Sequence, residues 1–133
     1  LGRILHNIAD RVHRRGIVII ISDLFDNVDE ISKALHHFRC RRHEVIVFHV
    51  MAEEELTFPF KGSTRFLSIE KADVKLQVDA QSIRSEYLAR VGSFVETIKT
   101  ACSQIKADYV PMSTRTPFHE ALADCLLRRR GSR

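Results

Sequence analysis

Cysteine and long apolar runs are both scarce in this chain, and each scarcity excludes a class of protein. The three cysteines, Cys40, Cys102 and Cys125, are odd in number, widely spaced and form no CxxC pair. They read as reduced thiols of a cytoplasmic protein rather than as a disulfide framework. The longest unbroken apolar run, Ile17 to Ile21, is too short to cross a bilayer or to form the core of a signal peptide. The catalytic signatures are missing as well. There is no GxGxxG or GxxxxGK[ST] loop to cradle a phosphate, no HExxH and no GxSxG elbow. Seven histidines are present, but none stands at ligand spacing to another or to a cysteine. They read as solvated or hydrogen-bonded, and His49, inside an apolar strand, reads as a hydrogen-bonded core residue.

What is present suits one compact α/β domain. At 133 residues, 44% hydrophobic and 29% charged, the chain can bury roughly two-thirds of its unfolded surface. A net charge of +4 is too mild to imply a nucleic-acid partner. The basic clusters Arg39 to His43 and Arg128 to Arg133 suit helix C-termini without any ligand.

Hydrophobic periodicity then orders the chain. Ile4, Ile8 and Val12 predict a helix over Arg3 to Arg15, closed by Gly16 in the left-handed conformation. Ile17 to Ile21 predicts a parallel strand covered on both faces, and Val45 to Val50 repeats that pattern. Between them, Asn27 and Glu30 have capping-box-like spacing ahead of an amphipathic helix carrying Val28, Ile31, Leu35 and Phe38. Residues from about 55 to 79 read as a β insertion, with Arg65 to Ile69 and Val74 to Val78 forming a hairpin across Glu70 to Asp73. A long helix over Ser82 to Lys106 should bury Ile83, Tyr87, Val91, Phe94, Ile98, Cys102 and Ile105. Tyr109 to Ser113 follows as an edge strand, because Pro111 removes a ladder donor. Thr116 and Pro117 introduce a last helix whose apolar positions are Phe118, Leu122 and Leu126, with a frayed basic tail.

This order implies a three-layer αβα arrangement around a short parallel sheet. Ligands of such sheets sit beyond the carboxyl ends of the strands. The rule selects Ser22 to Asp26, Met51 to Glu55 and Ser113 to Arg115. In oxygen chemistry alone, Asp23 and Asp26 are the candidate metal ligands, for Mg²⁺ or another divalent cation. Ser22, Asp23, Glu53, Glu54, Ser113 and Thr114 are the candidate partner-binding residues.

Arg14-Arg15-Gly16 running into Ile17 to Leu24, Arg42 to Val50, Leu56 to Phe60 and Asp108-Tyr109-Val110 together resemble the carboxyl-terminal half of a von Willebrand factor A-like domain. More closely, they resemble the bacterial family of unknown function encoded beside MoxR-type AAA+ ATPases. The resemblance implies a partial Rossmann-like fold whose first half is absent from this sequence. It aligns Asp23 with the aspartate after the fourth strand in the metal-ion-dependent adhesion site, and it places Leu24 where many such domains carry glycine. The DxSxS motif of that site is absent, so the resemblance implies a divalent cation only in a complete domain. The function it implies is a non-enzymatic interaction module working with a MoxR-type ATPase in protein assembly or maturation. A small metal-dependent enzyme using Asp23 and Asp26 is the alternative, and a nucleic-acid binder ranks third. A strand at Ile17 to Ile21 without its neighbour leaves an open sheet edge, which predicts a homodimer.

Overall fold

The computed structural model describes residues 1–67 and 75–131. The elements are helix α1 (Gly2–Arg11), strand β1 (Ile17–Ser22), helix α2 (Val28–Cys40), strand β2 (Glu44–Met51), helix α3 (Glu53–Thr57), strands β3 (Ser63–Leu67) and β4 (Lys75–Asp79), helix α4 (Ala80–Gln104), strand β5 (Asp108–Ser113) and helix α5 (Phe118–Gly131). β1, β2 and β5 form a parallel sheet in that order, with Ile20 facing Val47 and His49 facing Pro111. β3 and β4 pair antiparallel, Arg65 opposite Gln77. The expected three-layer α/β architecture and its hairpin are therefore present. The expected turn at Glu70 to Asp73, and the strand ends beside it, lie outside the described residues.

Two cores share the sheet. On one face Ile20, Val45 and Val47 pack with Leu5 and Ala9 of α1, with Ile31, Leu35 and Phe38 of α2, and with Ile98 and Cys102 of α4. Each large aliphatic or aromatic side chain buried there contributes about 1.5–3 kcal/mol. On the other face, among the described residues, α5 alone packs, through Ala121 and Cys125 against Ile46, Phe48 and Val110. That single helix does not reach β1. Ile17, Ile19 and Ile21 are exposed, so β1 is covered on one face rather than on two. A run of five aliphatic residues cannot reveal this, because coverage is decided by how many helices return to each side.

α5 also turns differently from expectation. Phe118, Leu122 and Leu126 are exposed while the small residues Ala121 and Cys125 face the sheet, since a helix lying close over a strand pair admits small side chains at the contact. Its basic end is not merely solvated. Arg129 donates to both Glu44 and Asp108, clamping the amino ends of β2 and β5. In α4 the buried residues are Ala80 at its start and Ile98, Ala101 and Cys102 in its last part, with Ile105 just beyond. Tyr87, Val91 and Phe94 are only half-buried.

α1 ends four residues before the expected stop, at Arg11, with Val12 extended and Gly16 outside the left-handed region. The reason is His43. It is fully buried, its Nδ1 accepts from the Gly16 N–H at 3.3 Å, and its Nε2 lies 3.3 Å from the Val12 carbonyl. An acceptor Nδ1 makes Nε2 the donor, so one neutral imidazole satisfies both ends of the α1–β1 connection. The hydrogen bonds that a glycine cap would have supplied inside the helix are supplied by His43 from the turn ahead of β2 instead. At its start α1 presses on α2: a Cβ on Gly2 would stand 2.7 Å from the Cβ of Glu30.

Replacing His43 by Leu keeps the volume and removes both bonds. We expect a loss of about 2–4 kcal/mol, from two buried backbone groups left without partners. Urea denaturation followed by circular dichroism measures it.

Candidate functional site

The three strands end together at Ser22, Met51 and Ser113, and the loops leaving them make a crevice. The loop after β1 is wound by its own side chains. The Leu24 N–H donates to Ser22 Oγ at 3.0 Å, and the Phe25 N–H donates to Asp23 Oδ1 at 3.2 Å. Leu24 takes φ +56°, a left-handed conformation that costs an ordinary residue roughly 1–2 kcal/mol. Here a glycine would suit the backbone, while leucine offsets the strain by burying its side chain to 1% exposure. With Leu24 turned in, Phe25 is turned out, 87% exposed.

His49 fastens this loop to the sheet. Its Nε2 lies 3.0 Å from the Asp23 carbonyl, which only accepts, so Nε2 carries the proton. Nδ1 then accepts from the Tyr109 hydroxyl at 2.8 Å. The imidazole is 1% exposed, and its ring meets Phe94 edge-on at 5.6 Å. Burial pushes its pKa below the ordinary 6.5, the Asp23 carbonyl bond opposing the shift. Tyr109, also desolvated, is pushed up to about 12 and stays a donor. The reading of His49 as a hydrogen-bonded core residue holds, and its carbonyl partner belongs to a candidate site residue.

Around Asp23 opens a cavity of about 530 Å³. Phe25, Tyr87 and Phe94 supply its aromatic wall, and Asp23, Glu55 and Arg90 its polar rim. Phe25 and Phe94 meet at 6.3 Å, near edge-on. Behind Tyr87 lies a second aromatic cluster, where Phe58 packs at 4.5 Å and itself meets Phe60 and Phe66. Arg84 secures the end of α3 by donating to the Thr57 and Phe58 carbonyls at 3.0 and 3.3 Å.

The residues singled out from sequence separate into three places. Ser113 Oγ donates to Glu53 Oε2 at 2.9 Å, and the Thr114 N–H donates to the Met51 carbonyl at 2.9 Å, so these loops are joined. Glu54 is exposed on the same short helix. Ser22 and Asp23 wind the β1 loop beside the cavity. Asp26 turns away: it accepts from the Asn27 and Gly2 N–H groups at 2.7 and 3.0 Å. Among the described residues no three His, Cys, Asp or Glu side chains converge to hold a metal ion.

Sequence reasoning missed the aromatic wall. Phe94 and Tyr87 share the 3-to-4 spacing of the α4 core positions and are indistinguishable from them by periodicity. Phe25 did carry a signal, as a large aromatic in a loop between two aspartates.

The chain matches the family model described as protein of unknown function DUF58 over residues 1–94, and it belongs to that family. Neither the curated proteins nor the solved structures gave a significant match.

The depressed His49 pKa gives a signed pH effect. Below pH 6.5 the unfolded imidazole binds a proton that the folded one refuses, so stability attributable to His49 is complete above that pH and is lost as pH falls. The maximum slope is about 1.4 kcal/mol per pH unit. Urea midpoints at pH 7.5 and 5 for the unaltered chain and for His49→Gln should show a smaller acid loss in the variant. Equal losses would assign the effect to other groups.

Proposed function

We propose that this DUF58 protein is a cytoplasmic, non-enzymatic interaction module whose partner, a MoxR-type AAA+ ATPase, docks at the crevice formed by Ser22, Asp23, Glu53, Glu54, Ser113 and Thr114. The observation that carries this reading is Phe25, a large aromatic held out in solvent by a strained, well-hydrogen-bonded loop at the mouth of a largely apolar cavity. Aromatic side chains rigidly presented beside an apolar cavity are the usual energetic centre of a protein interface. The charged rim, with Asp23, Glu55 and an Arg90 paired to Glu86, supplies orientation.

The reading includes the likeness to the carboxyl-terminal part of a von Willebrand factor A-like domain, with Asp23 at the end of a parallel strand, as that likeness requires. A divalent cation such as Mg²⁺ enters only in a complete domain, through Asp23. A metal-dependent enzyme built on both Asp23 and Asp26 is less well supported, because Asp26 faces the start of α1 and is already engaged by two backbone donors. A second copy of the chain, meeting the open edge of β1, completes the proposed set of partners.

Titration calorimetry with the purified ATPase tests the docking. Phe25→Asp should weaken binding at least about tenfold, or about 1.4 kcal/mol, with the circular dichroism spectrum unchanged. Unaltered affinity in that variant, or no binding by the parent chain, would overturn the proposal.

A further inference from the structure

No histidine of this chain stands at metal-ligand spacing to another along the sequence, yet the fold brings two of them together. α1 and α2 lie side by side along a seam where Gly2 presses on Glu30, His6 meets His37, and Asp10 meets Arg41. The middle pair is not an ordinary packing contact. Nδ1 of His6 stands 3.3 Å from Nδ1 of His37, with the ring centroids 5.5 Å apart and the planes tilted by 41°. The His6 residue is half-buried and the His37 side chain is 27% exposed. Two ring nitrogens therefore face each other at a place that a small solute can reach.

Their separation is at the long limit for a hydrogen bond between ring nitrogens, and it matches a different geometry. Two nitrogen ligands of a tetrahedral Zn²⁺, each about 2.0–2.1 Å from the metal, are held about 3.3–3.4 Å apart. The groups around the pair set its protonation. Arg41 Nε donates to Nε2 of His37 at 3.2 Å, so without a metal His37 carries its proton on Nδ1 and gives it to Nδ1 of His6. Asp10 stands beside the same Nε2, its Oδ1 3.5 Å away, and accepts from Arg41 Nη2 at 3.1 Å. Moving the His37 proton from Nδ1 to Nε2 turns it toward Asp10 and leaves both Nδ1 lone pairs free, with no change in the number of protons. Arg41 keeps its bond to Asp10 through Nη2. A ligating imidazole whose other nitrogen donates to a carboxylate is the common arrangement in protein metal sites.

We propose that His6 and His37 form a two-histidine site for a divalent cation of the imidazole-preferring class, Zn²⁺ foremost, bound through both Nδ1 atoms and stapling α1 to α2. Water completes the coordination, because among the described residues no third His, Cys, Asp or Glu converges on the pair. Two protein ligands give an open site of micromolar class rather than a closed structural one. Asp10 is its positioning residue. The site is chemically distinct from the crevice at Asp23, since Mg²⁺ takes oxygen ligands and has no use for this pair.

Calorimetric titration of the chain with Zn²⁺ at neutral pH tests the site. One saturable equivalent is expected, weakened at least about tenfold by His6→Gln or His37→Gln and unchanged by His36→Gln, an exposed neighbour on α2. Asp10→Asn should weaken binding about tenfold without changing the stoichiometry. Circular dichroism of each variant checks that it is folded. Zn²⁺ should also raise the urea midpoint of the unaltered chain, but not that of either histidine variant, and Mg²⁺ should leave the midpoint where it is. A measurement on the unaltered chain alone reads the ligating atoms: in ring ¹⁵N spectra the Nδ1 signals of His6 and His37 should move on adding Zn²⁺ while the other histidines keep theirs. No saturable binding, an equal loss in His36→Gln, or ring shifts spread over all the histidines would overturn the site and leave His6 and His37 a hydrogen-bonded pair.

Discussion

The imidazole of His49 is enclosed by β1, β5 and α4 at once, and the upper half of the structure follows from its having to remain neutral. A buried donor and a buried acceptor on one ring must both find partners. One is a carbonyl in the β1 loop and the other a hydroxyl on β5. Because Tyr109 can only donate while its own pKa stays high, and the Asp23 carbonyl can only accept, the tautomer is settled by its surroundings. The loop that carries Asp23 and Phe25 is thereby held to the central strand by main chain rather than by side chain. Its left-handed turn at Leu24 is over-determined by this tether, by the Ser22 and Asp23 side chains, and by burial.

His43 plays a related part at the opposite end of the same strand. There too a neutral ring substitutes for missing backbone pairing, between Val12 and Gly16. A histidine thus stands at each end of the region β2 shares with β1, His43 one residue ahead of β2 and His49 within it, each satisfying backbone groups that a short irregular connection cannot satisfy alone. Arg129, reaching from α5 to Glu44 and Asp108, closes the amino end of the sheet on the other face. Polar side chains rather than longer helices hold these ends together, which is how so short a sheet keeps its connections ordered.

Much of this architecture is legible in the residues. The β-branched runs at Ile17 and Val45, the Asn27 cap with its accepted Glu30 N–H, and Pro111 in an edge strand all stand where their chemistry places them. What is not legible depends on distant partners. Gly16 looks like a helix stop because nothing local reveals that His43 will take over the bonds at Val12. Phe118, Leu122 and Leu126 look like a core stripe, yet Ala121 and Cys125 win because proximity to the sheet selects small residues. In the site, Asp23 is found from strand order alone, whereas Asp26 resembles it in sequence and is captured by the start of α1. The small helix α3, inside what reads as a β insertion, is similarly hidden: its Glu55 carboxylate accepts from the Ala52 N–H at 2.8 Å, and five residues are too few to show a period.

The one-sided pairing of β1 also divides its amides into two kinetic classes. Val18, Ile20 and Ser22 direct their N–H groups toward β2, so in the isolated chain they exchange with solvent deuterium only when the sheet opens. Ile17, Ile19 and Ile21, one residue away in each case, hold theirs toward water and exchange without any opening. A single strand thus records two different free energies in alternate residues, one belonging to the whole sheet and one close to zero.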